Sequence, residues 1–461
     1  MANINVMSEK LINTSGAKLN MQRHSNRIAI AENINKKLGK GALTLEKRAA
    51  LATCLENTRQ ICEATQSSML PSKTFFLDMV ASVIPNTIAS EVVSVQAMES
   101  KAGMISYLRF VYGSDKGKVE DGQMFNNSLY HGVTDPNYSG AYVTGEALVQ
   151  ADEIFLQYAP VMPGSIRANI GGTEVTDTPN KDGKTGTLSN GGTVEYATGK
   201  ITKVTGITEN DSVDYRYNNE DITVPGAKGV PAGVNVPQIN LELAQLPVFA
   251  QSRKLAAYWG FDAAYDLKKQ YGEDVTALMA AQAAGEIAYE IDTEICNDLY
   301  RMAGAGTELV WSKTQPVGVS KVDHYDSFWA TLAEGDAAIF AATQRFRSNY
   351  IICGVNVAAV IEVMRNFDAA SGNTGVGPHL IGTLGGKYKV YVVPQFDPDA
   401  FVMGFKGGNF LETGYVYAPY MPVLSTQMIT TANMVGQQGY ATSYGKRMVN
   451  NKLYCRGRIT E

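Results

Sequence analysis

Glu286, Glu290 and Glu294 stand four residues apart, a spacing that sets three carboxylates on one face of a helix. Carboxylates placed this way can bind a metal or exchange protons when a Glu-x-x-His segment joins them. No such segment accompanies them, so a solvated or salt-bridged face is expected. The histidines His24, His131, His324 and His379 lie at no metal-ligand spacing from one another or from a cysteine. Asp323-His324 has the residue types of a catalytic pair, but a surface loop explains it better. Gly382 to Lys387 looks like a phosphate loop only faintly. It lacks the Walker spacing and the following Ser or Thr, and it leads into a strand rather than a helix. A tight turn is the better reading. No nucleophile elbow, Ser-His-Asp context or aromatic-basic stripe is found. The chain is therefore expected to be no enzyme, with no catalytic, cofactor or metal site.

Composition narrows the class further. The 461 residues suit two or three domains with a sizeable core, and 45% hydrophobic content is that of a globular protein. A formal net charge of -5 marks no nucleic-acid binder. Only 18% of residues are charged and 44 are glycine, which suits a surface largely covered by partners. The cysteines Cys54, Cys62, Cys296, Cys353 and Cys455 are scattered and odd in number, as free thiols in a reducing compartment would be. The N-terminus has no apolar signal region, and no stretch approaches the roughly 18 apolar residues of a membrane span.

The element around which the rest is organised is Glu273 to Ala303. Val275, Leu278, Ile287, Ile291, Ile295 and Leu299 recur at helical spacing, so one long amphipathic helix is predicted. Ala280, Ala281, Ala283, Ala284 and Gly285 keep its middle thin, and Gly304-Ala305-Gly306 ends it.

Before it, Met1 to Asn26 reads as a mobile arm and Leu45 to Ala64 as a helix capped by Thr44. Phe75 to Val83 reads as helical, Ile88 to Met98 as a strand, and Met104 to Tyr112 as a second strand of a hairpin ending in a polar tip. Gly140 to Tyr158 holds an expected helix. Met162 to Pro237 loses helical periodicity and carries short strand candidates at Val194-Tyr196, Ile201-Val204, Val213-Tyr217 and Ile222-Val224, the mark of a β-rich insert. Gln238 to Lys254 returns as a strand with Ile239, Leu241 and Leu243, and Tyr258 to Gln270 is helical. After the long helix, helices are expected at Ser327–Thr343 and Asn356–Asn366. Strands are expected at Tyr350–Cys353, Lys387–Pro394, Ala400–Phe405 and Gly414–Val423. The fold class is α+β.

Several stretches carry a family resemblance. Ile84-Pro-Asn-Thr-Ile-Ala89, Val93-Ser-Val-Gln-Ala-Met98, Leu108-Arg-Phe-Val-Tyr-Gly113 and Gly382-Thr-Leu-Gly-Gly-Lys-Tyr-Lys-Val-Tyr-Val-Val-Pro394 resemble the major capsid protein of T-even-type tailed phages. So do Gly404-Phe-Lys-Gly407, Gly414-Tyr-Val-Tyr-Ala-Pro-Tyr-Met-Pro422, Tyr444-Gly445 and Asn450. The similarity covers about 71–113, 249–303 and 349–453, fades in the arm and is lost in the insert.

The resemblance implies the Hong Kong 97-type capsid fold. Its parts would fall as an N-terminal arm over 1–70, the start of the P domain with a rising E-loop strand over 71–113, and the E-loop region over 114–161. A β-rich insertion domain would take 162–237, the E-loop return and spine helix 238–305, the A domain 306–440, and a C-terminal return to the P domain 441–461. Deletion of the insert should spare the core. The implied function is a major capsid protein that assembles into an icosahedral or prolate head around double-stranded DNA. An encapsulin-like compartment is the alternative; an adhesin or decoration protein and a hydrolase fit less of the chain. Implied partners are further copies in hexamers and pentamers, portal and scaffold proteins, and separate vertex or decoration proteins. DNA would be enclosed without sequence-specific binding, and no membrane is involved. Synthesis would occur in the host bacterial cytoplasm and the final location would be the virion. The family's arm is often cut after a Glu; Glu32 and Glu56 offer such contexts, yet an intact arm is expected. Non-covalent rather than Lys-Asn cross-linked contacts are expected. Asp115, Lys116 and Lys118 on the presumed E-loop tip are expected to be exposed and to meet a neighbouring subunit.

Overall fold

The computed structural model describes residues 15–37, 43–64, 88–125, 135–149, 153–204, 207, 211–218, 236–272, 274–370, 377–408, 412, 414–430 and 435–460. The helix expected at Phe75 to Val83, the Ile84-Pro-Asn motif and the strand candidate Ile222-Val224 lie outside these residues.

The chain begins with helices α1 (Ser15–Arg23), α2 (Ser25–Lys37) and α3 (Leu45–Ala64), then a single turn α4 (Ala89–Val92). Strands β1 (Ser94–Val95) and β2 (Ala102–Tyr112) follow. Next come β3 (Tyr142–Ala147), β4 (Glu153–Phe155), β5 (Arg167–Ile170), β6 (Thr173–Pro179) and β7 (Thr185–Leu188). Then β8 (Thr193–Glu195), β9 (Lys200–Thr202), β10 (Ser212–Arg216), β11 (Ile239–Phe249) and β12 (Gln251–Gly260) complete this half. Helices α5 (Phe261–Tyr271) and α6 (Val275–Met302) lead to β13 (Leu309–Ser312), α7 (Lys321–Asp326), α8 (Phe328–Thr343), β14 (Tyr350–Cys353) and α9 (Val355–Val363). The last strands are β15 (Phe367–Ala369), β16 (His379–Leu384), β17 (Tyr388–Val392), β18 (Ala400–Gly404), β19 (Tyr415–Ser425), β20 (Ile429–Thr430), β21 (Val435–Met448) and β22 (Tyr454–Thr460).

Two compact units result, 1–107 with 244–461, and 108–243. The chain leaves the first along β2 and returns along β11, and these two strands pair as a ribbon.

In the first unit the long helix α6 forms where periodicity predicts it, with Ile287, Ile291, Ile295 and Leu299 buried. Asp274 caps it by accepting from the Thr276 amide at 3.1 Å. It touches β12, β19 and β21 of one sheet and β18 and β22 of another, so it ties the two together. At about 42 Å for 28 residues it is long enough to do so. The second sheet runs β13-β22-β18-β14-β17-β16-β15. Its core is aromatic and aliphatic, with Phe328, Leu332, Ile351, Val390 and Phe401 fully buried.

The carboxylate ladder on α6 is a salt-bridged face. Arg253 on β12 reaches Glu290 at 2.8 Å and Glu294 at 2.5 Å. Lys446 on β21 reaches Glu294 at 2.6 Å and also pairs Asp298. Burial alone would raise the Glu294 pKa, but the hydrogen bonds and charges of Lys446, Tyr444 and Arg253 outweigh it and hold the group below its ordinary value. A lowered carboxyl contributes stability above its unfolded pKa and loses it as pH falls through the folded one. Glu294→Gln should therefore cost roughly 1–2 kcal/mol at pH 7 and nothing in acid, read as the gap between urea midpoints at the two pH values.

One strand expectation changes here. Ile88 to Met98 is a helical turn, α4, followed by the short strand β1, rather than one strand. Ile88 is held by α6, since its amide donates to the buried Asp292 carboxylate at 3.0 Å, which favours the local turn. Glu56, a proposed protease context, lies buried in α3. Arg59, with help from His24 and against burial, holds it down to about 2.

The second unit is an antiparallel sheet ordered β3-β10-β5-β6-β7-β8-β9-β4. Alternate residues point inward, and Val143, Leu156, Ile166, Val194, Val213 and Tyr215 form its core. Among the described residues the helix expected within Gly140 to Tyr158 is absent. That stretch holds β3 and β4, because Tyr142 pairs Arg216 and Glu153 pairs Thr202. The expected boundary at 161/162 therefore cuts through a sheet. Deleting 162–237 would strip β3 and β4 of their partners, so a deletion on those boundaries should destabilise what is left of the sheet. A deletion on the structural boundaries would have to remove both strands as well.

Candidate assembly contact

The tip lies in the second unit, between the end of β2 and Phe125. Lys116 and Val119 exchange backbone hydrogen bonds of 2.8 and 3.0 Å, closing a tight turn. Gly117 sits at φ +60°, and a Cβ there would fall 2.2 Å from the Thr144 carbonyl oxygen, so only glycine fits. Its amide donates to Gln157 Oε1 at 2.7 Å, and the Lys118 amide donates to Thr144 O at 3.1 Å.

The three tip residues differ sharply. Asp115 is exposed, and its carboxylate accepts from the Asp121 amide at 2.7 Å. Lys118 is exposed as well. Lys116 is not: its side chain is completely buried, which corrects the expectation of an exposed charge. Its ammonium donates to the carbonyls of Asn137 at 3.0 Å, Tyr138 at 2.8 Å and Gly140. The rings of Tyr217, Tyr158 and Tyr138 surround it at 5.2, 5.7 and 6.0 Å. Desolvation pushes the amine down to about 8, with the Asp135 carboxylate opposing. Lys116 is thus an internal tie that shapes the tip by gathering the turn at 135–140.

Around it, Tyr112, Val119 and Tyr138 form a small core with Phe125. The tip therefore has a core of its own. Tyr138 also donates to Gln238 O at 2.7 Å, pinning the tip to the start of β11. Arg109 and Glu242 pair across the ribbon at 2.5 Å. One feature had only a partial sequence signal. Ile239, Leu241 and Leu243 alternate as a strand should, yet all lie on the solvent side, at 59%, 48% and 47% exposure. Alternation identified one face of the strand but not which side of it was covered.

The other chemically suggestive residues are accounted for. Asp323 pairs with Arg365, and accepts from Ser320 Oγ at 2.6 Å, while His324 stacks on Trp311. Gly385 and Gly386, both at positive φ, make the turn between β16 and β17, and Lys387 pairs with Asp336 at 2.6 Å. His24 meets Glu56 at 3.1 Å. His131 lies outside the described residues. Among the described residues no group of three His, Cys, Asp or Glu is placed to hold a metal.

The described residues thus present an exposed apolar row on the ribbon and a tip pinned by buried Lys116, and comparison with known proteins gives the class of the chain. The major capsid protein of Enterobacteria phage T4 is 26% identical over 403 residues, 80% of this chain and 74% of that protein. The major capsid protein of Vibrio phage KVP40 is 25% identical over 405 residues, again 80% and 74%. The profile of the family described as Major capsid protein Gp23 matches residues 72–461, and the chain belongs to that family. It is a phage head shell protein, self-assembling, structural in role and located in the virion. Its fold class is α+β, as expected from the sequence. Among solved structures, the capsid of Myoviridae phage XM1 aligns with 49% of this chain and 79% of that chain, at 7% identity and a TM-score of 0.33. The mature capsid of bacteriophage PhiM1 aligns with 51% and 78%, at 10% identity and a TM-score of 0.32. No described helix is long and apolar enough to cross a membrane.

Proposed function

We propose that copies of this chain tile as hexamers, with pentamers at vertices, into an icosahedral or prolate shell around double-stranded DNA. In this reading the ribbon of β2 and β11 with the tip at 113–125 is the E-loop and lies on a neighbouring copy. Helix α6 is the spine of the P domain, and the sheet around β14 belongs to the A domain. Portal, scaffold and vertex proteins complete the head, and synthesis takes place in the host bacterial cytoplasm. The observation that carries this is the row Ile239, Leu241 and Leu243, exposed on one face of a two-stranded ribbon. A ribbon with one apolar face is marginal in water, and covering that face by another copy supplies the missing burial.

The tip charges add a second contact. Asp115 and Lys118 remain available to a neighbour, whereas Lys116 acts from inside. Lys118→Glu should leave the melting temperature of the subunit unchanged, since an exposed charge contributes about 0–1 kcal/mol. Repeated at every contact, the same small loss should still lower the yield of closed shells severalfold. A normal yield would remove Lys118 from the contact and leave the ribbon face as its sole carrier. An encapsulin-like compartment is not favoured by the family match; particles filled with DNA rather than a cargo protein separate the two.

A further inference from the structure

We propose that helix α3 is an intramolecular guard, its side chains occupying backbone groups at the β1 edge that a strand from a second copy of this chain would otherwise pair with. All the parts belong to the first unit. Among the described residues, strand β1 ends its sheet and pairs only with β19, in parallel. The amides of Gln96 and Met98 donate to Tyr417 O and Pro419 O, both at 3.0 Å. Successive residues of a strand present their amides to opposite edges, so the Val95 amide, one residue before that of Gln96, points away from β19. Glu46 of α3 takes it, its Oε1 accepting at 2.8 Å. Where the pairing runs out, Asn57 of α3 donates to both Met98 O at 2.7 Å and Tyr420 O at 2.9 Å.

Asn57 is 6% exposed, and a buried amide is costly unless it is matched. Here it is matched by two carbonyls, one just past the end of β1 and one in β19, so the helix supplies side-chain hydrogen bonds where strand pairing stops. Leu51, Cys54 and Leu55 are buried alongside it and hold the helix in place. An open edge is a template for another chain, and a helix laid over it is one of the ways proteins block that pairing. A side-chain cover can lift without unzipping a ladder, which makes α3 a removable one. The occupant is a second copy because the chain belongs to a shell-forming family, in which each copy is surrounded by others; the inference rests on that membership. An extended strand of that copy could supply a carbonyl for Val95 in place of Glu46.

The test uses the full chain carrying Glu46→Ala with Asn57→Ala, followed by hydrogen exchange at the Val95 amide and by sedimentation velocity. The exchange arm reads the cover itself and is independent of assembly. Exchange should accelerate at least tenfold, and larger species should appear at concentrations where the parent shows none. Adding Val95→Pro, which removes the outward amide and leaves those of Gln96 and Met98, should reverse the association. If the double variant loses protection in α6, Glu46→Ala alone is read the same way. An unchanged Val95 amide would show that α3 is not the cover. Faster exchange with no larger species, or association that survives Val95→Pro, would overturn the guard.

Discussion

Lys116→Met should destabilise the second unit by roughly 2–4 kcal/mol at pH 7, a large effect for a single side chain. Methionine keeps the apolar stem between the rings of Tyr138, Tyr158 and Tyr217 but donates nothing. The carbonyls of Asn137, Tyr138 and Gly140 then lose a buried charged donor. Hydrogen bonds to charged groups are worth about 1.5–3 kcal/mol each, and the relief of burying no ammonium returns part of that loss. The effect should also depend on pH. The buried amine titrates near 8, against 10.5 in an unfolded chain. Below 8 both states hold the proton. Between 8 and 10.5 the unfolded chain alone binds it, so the parent gains stability with rising pH while the variant does not. The gap between them should widen by up to about 1.4 kcal/mol per pH unit in that window. Hydrogen exchange of the amides at 135–140, followed from pH 7 to 10, reads both effects. Unchanged protection in the variant would show that Lys116 does not hold the turn, and a gap that stays constant with pH would show that the ammonium is not desolvated.

Leu241→Glu with Leu243→Glu should leave the isolated subunit as stable as its parent and abolish closed shells. Both residues are about half exposed, and substitutions at such sites usually stay within about 0.5 kcal/mol. At an assembly contact each leucine, already half buried, would bury further apolar surface worth about 0.7–1.5 kcal/mol. Two per contact amount to about 1.5–3 kcal/mol, a loss of roughly ten- to a hundredfold in each contact constant, repeated at every contact of the shell. Leu241→Met with Leu243→Ile keeps the apolar face and should keep the shells. Melting temperature and particle yield from the same preparations separate the outcomes. A normal yield from the double glutamate variant would show that this row is not a contact. A fall in melting temperature would place it within the chain's own core.

What the sequence made legible follows the range of the interactions. Helix α6 was readable from Val275 to Leu299 because helical periodicity is local. Strand β14 was placed at its observed ends, since Tyr350 to Cys353 is a short apolar run buried on both faces. The β-rich character of 162–237 was visible in its glycines and threonines. Its lower limit was not, because β3 and β4 find their partners in β10 and β9, tens of residues later. Lys116 was misread for the same reason. Its acceptors lie 21 to 24 residues downstream, on a turn that shows no signal until it folds back. The Glu290 and Glu294 spacing was evident, whereas Arg253 and Lys446, which neutralise it, come from two distant strands. Asn57 is the extreme case, since one of its acceptors is 363 residues away. Ile239, Leu241 and Leu243 had the right period for a strand, but which face of a strand is covered is decided by what packs on it.

This chain builds the wall of a phage head. The most direct measurement is electron microscopy of DNA-filled heads purified from lysate, with mass spectrometry of their shell protein. The account predicts closed shells of uniform wall thickness in which this chain is the most abundant protein. Filled heads whose walls are made of another protein, with this chain absent or present in only a few copies, would contradict it.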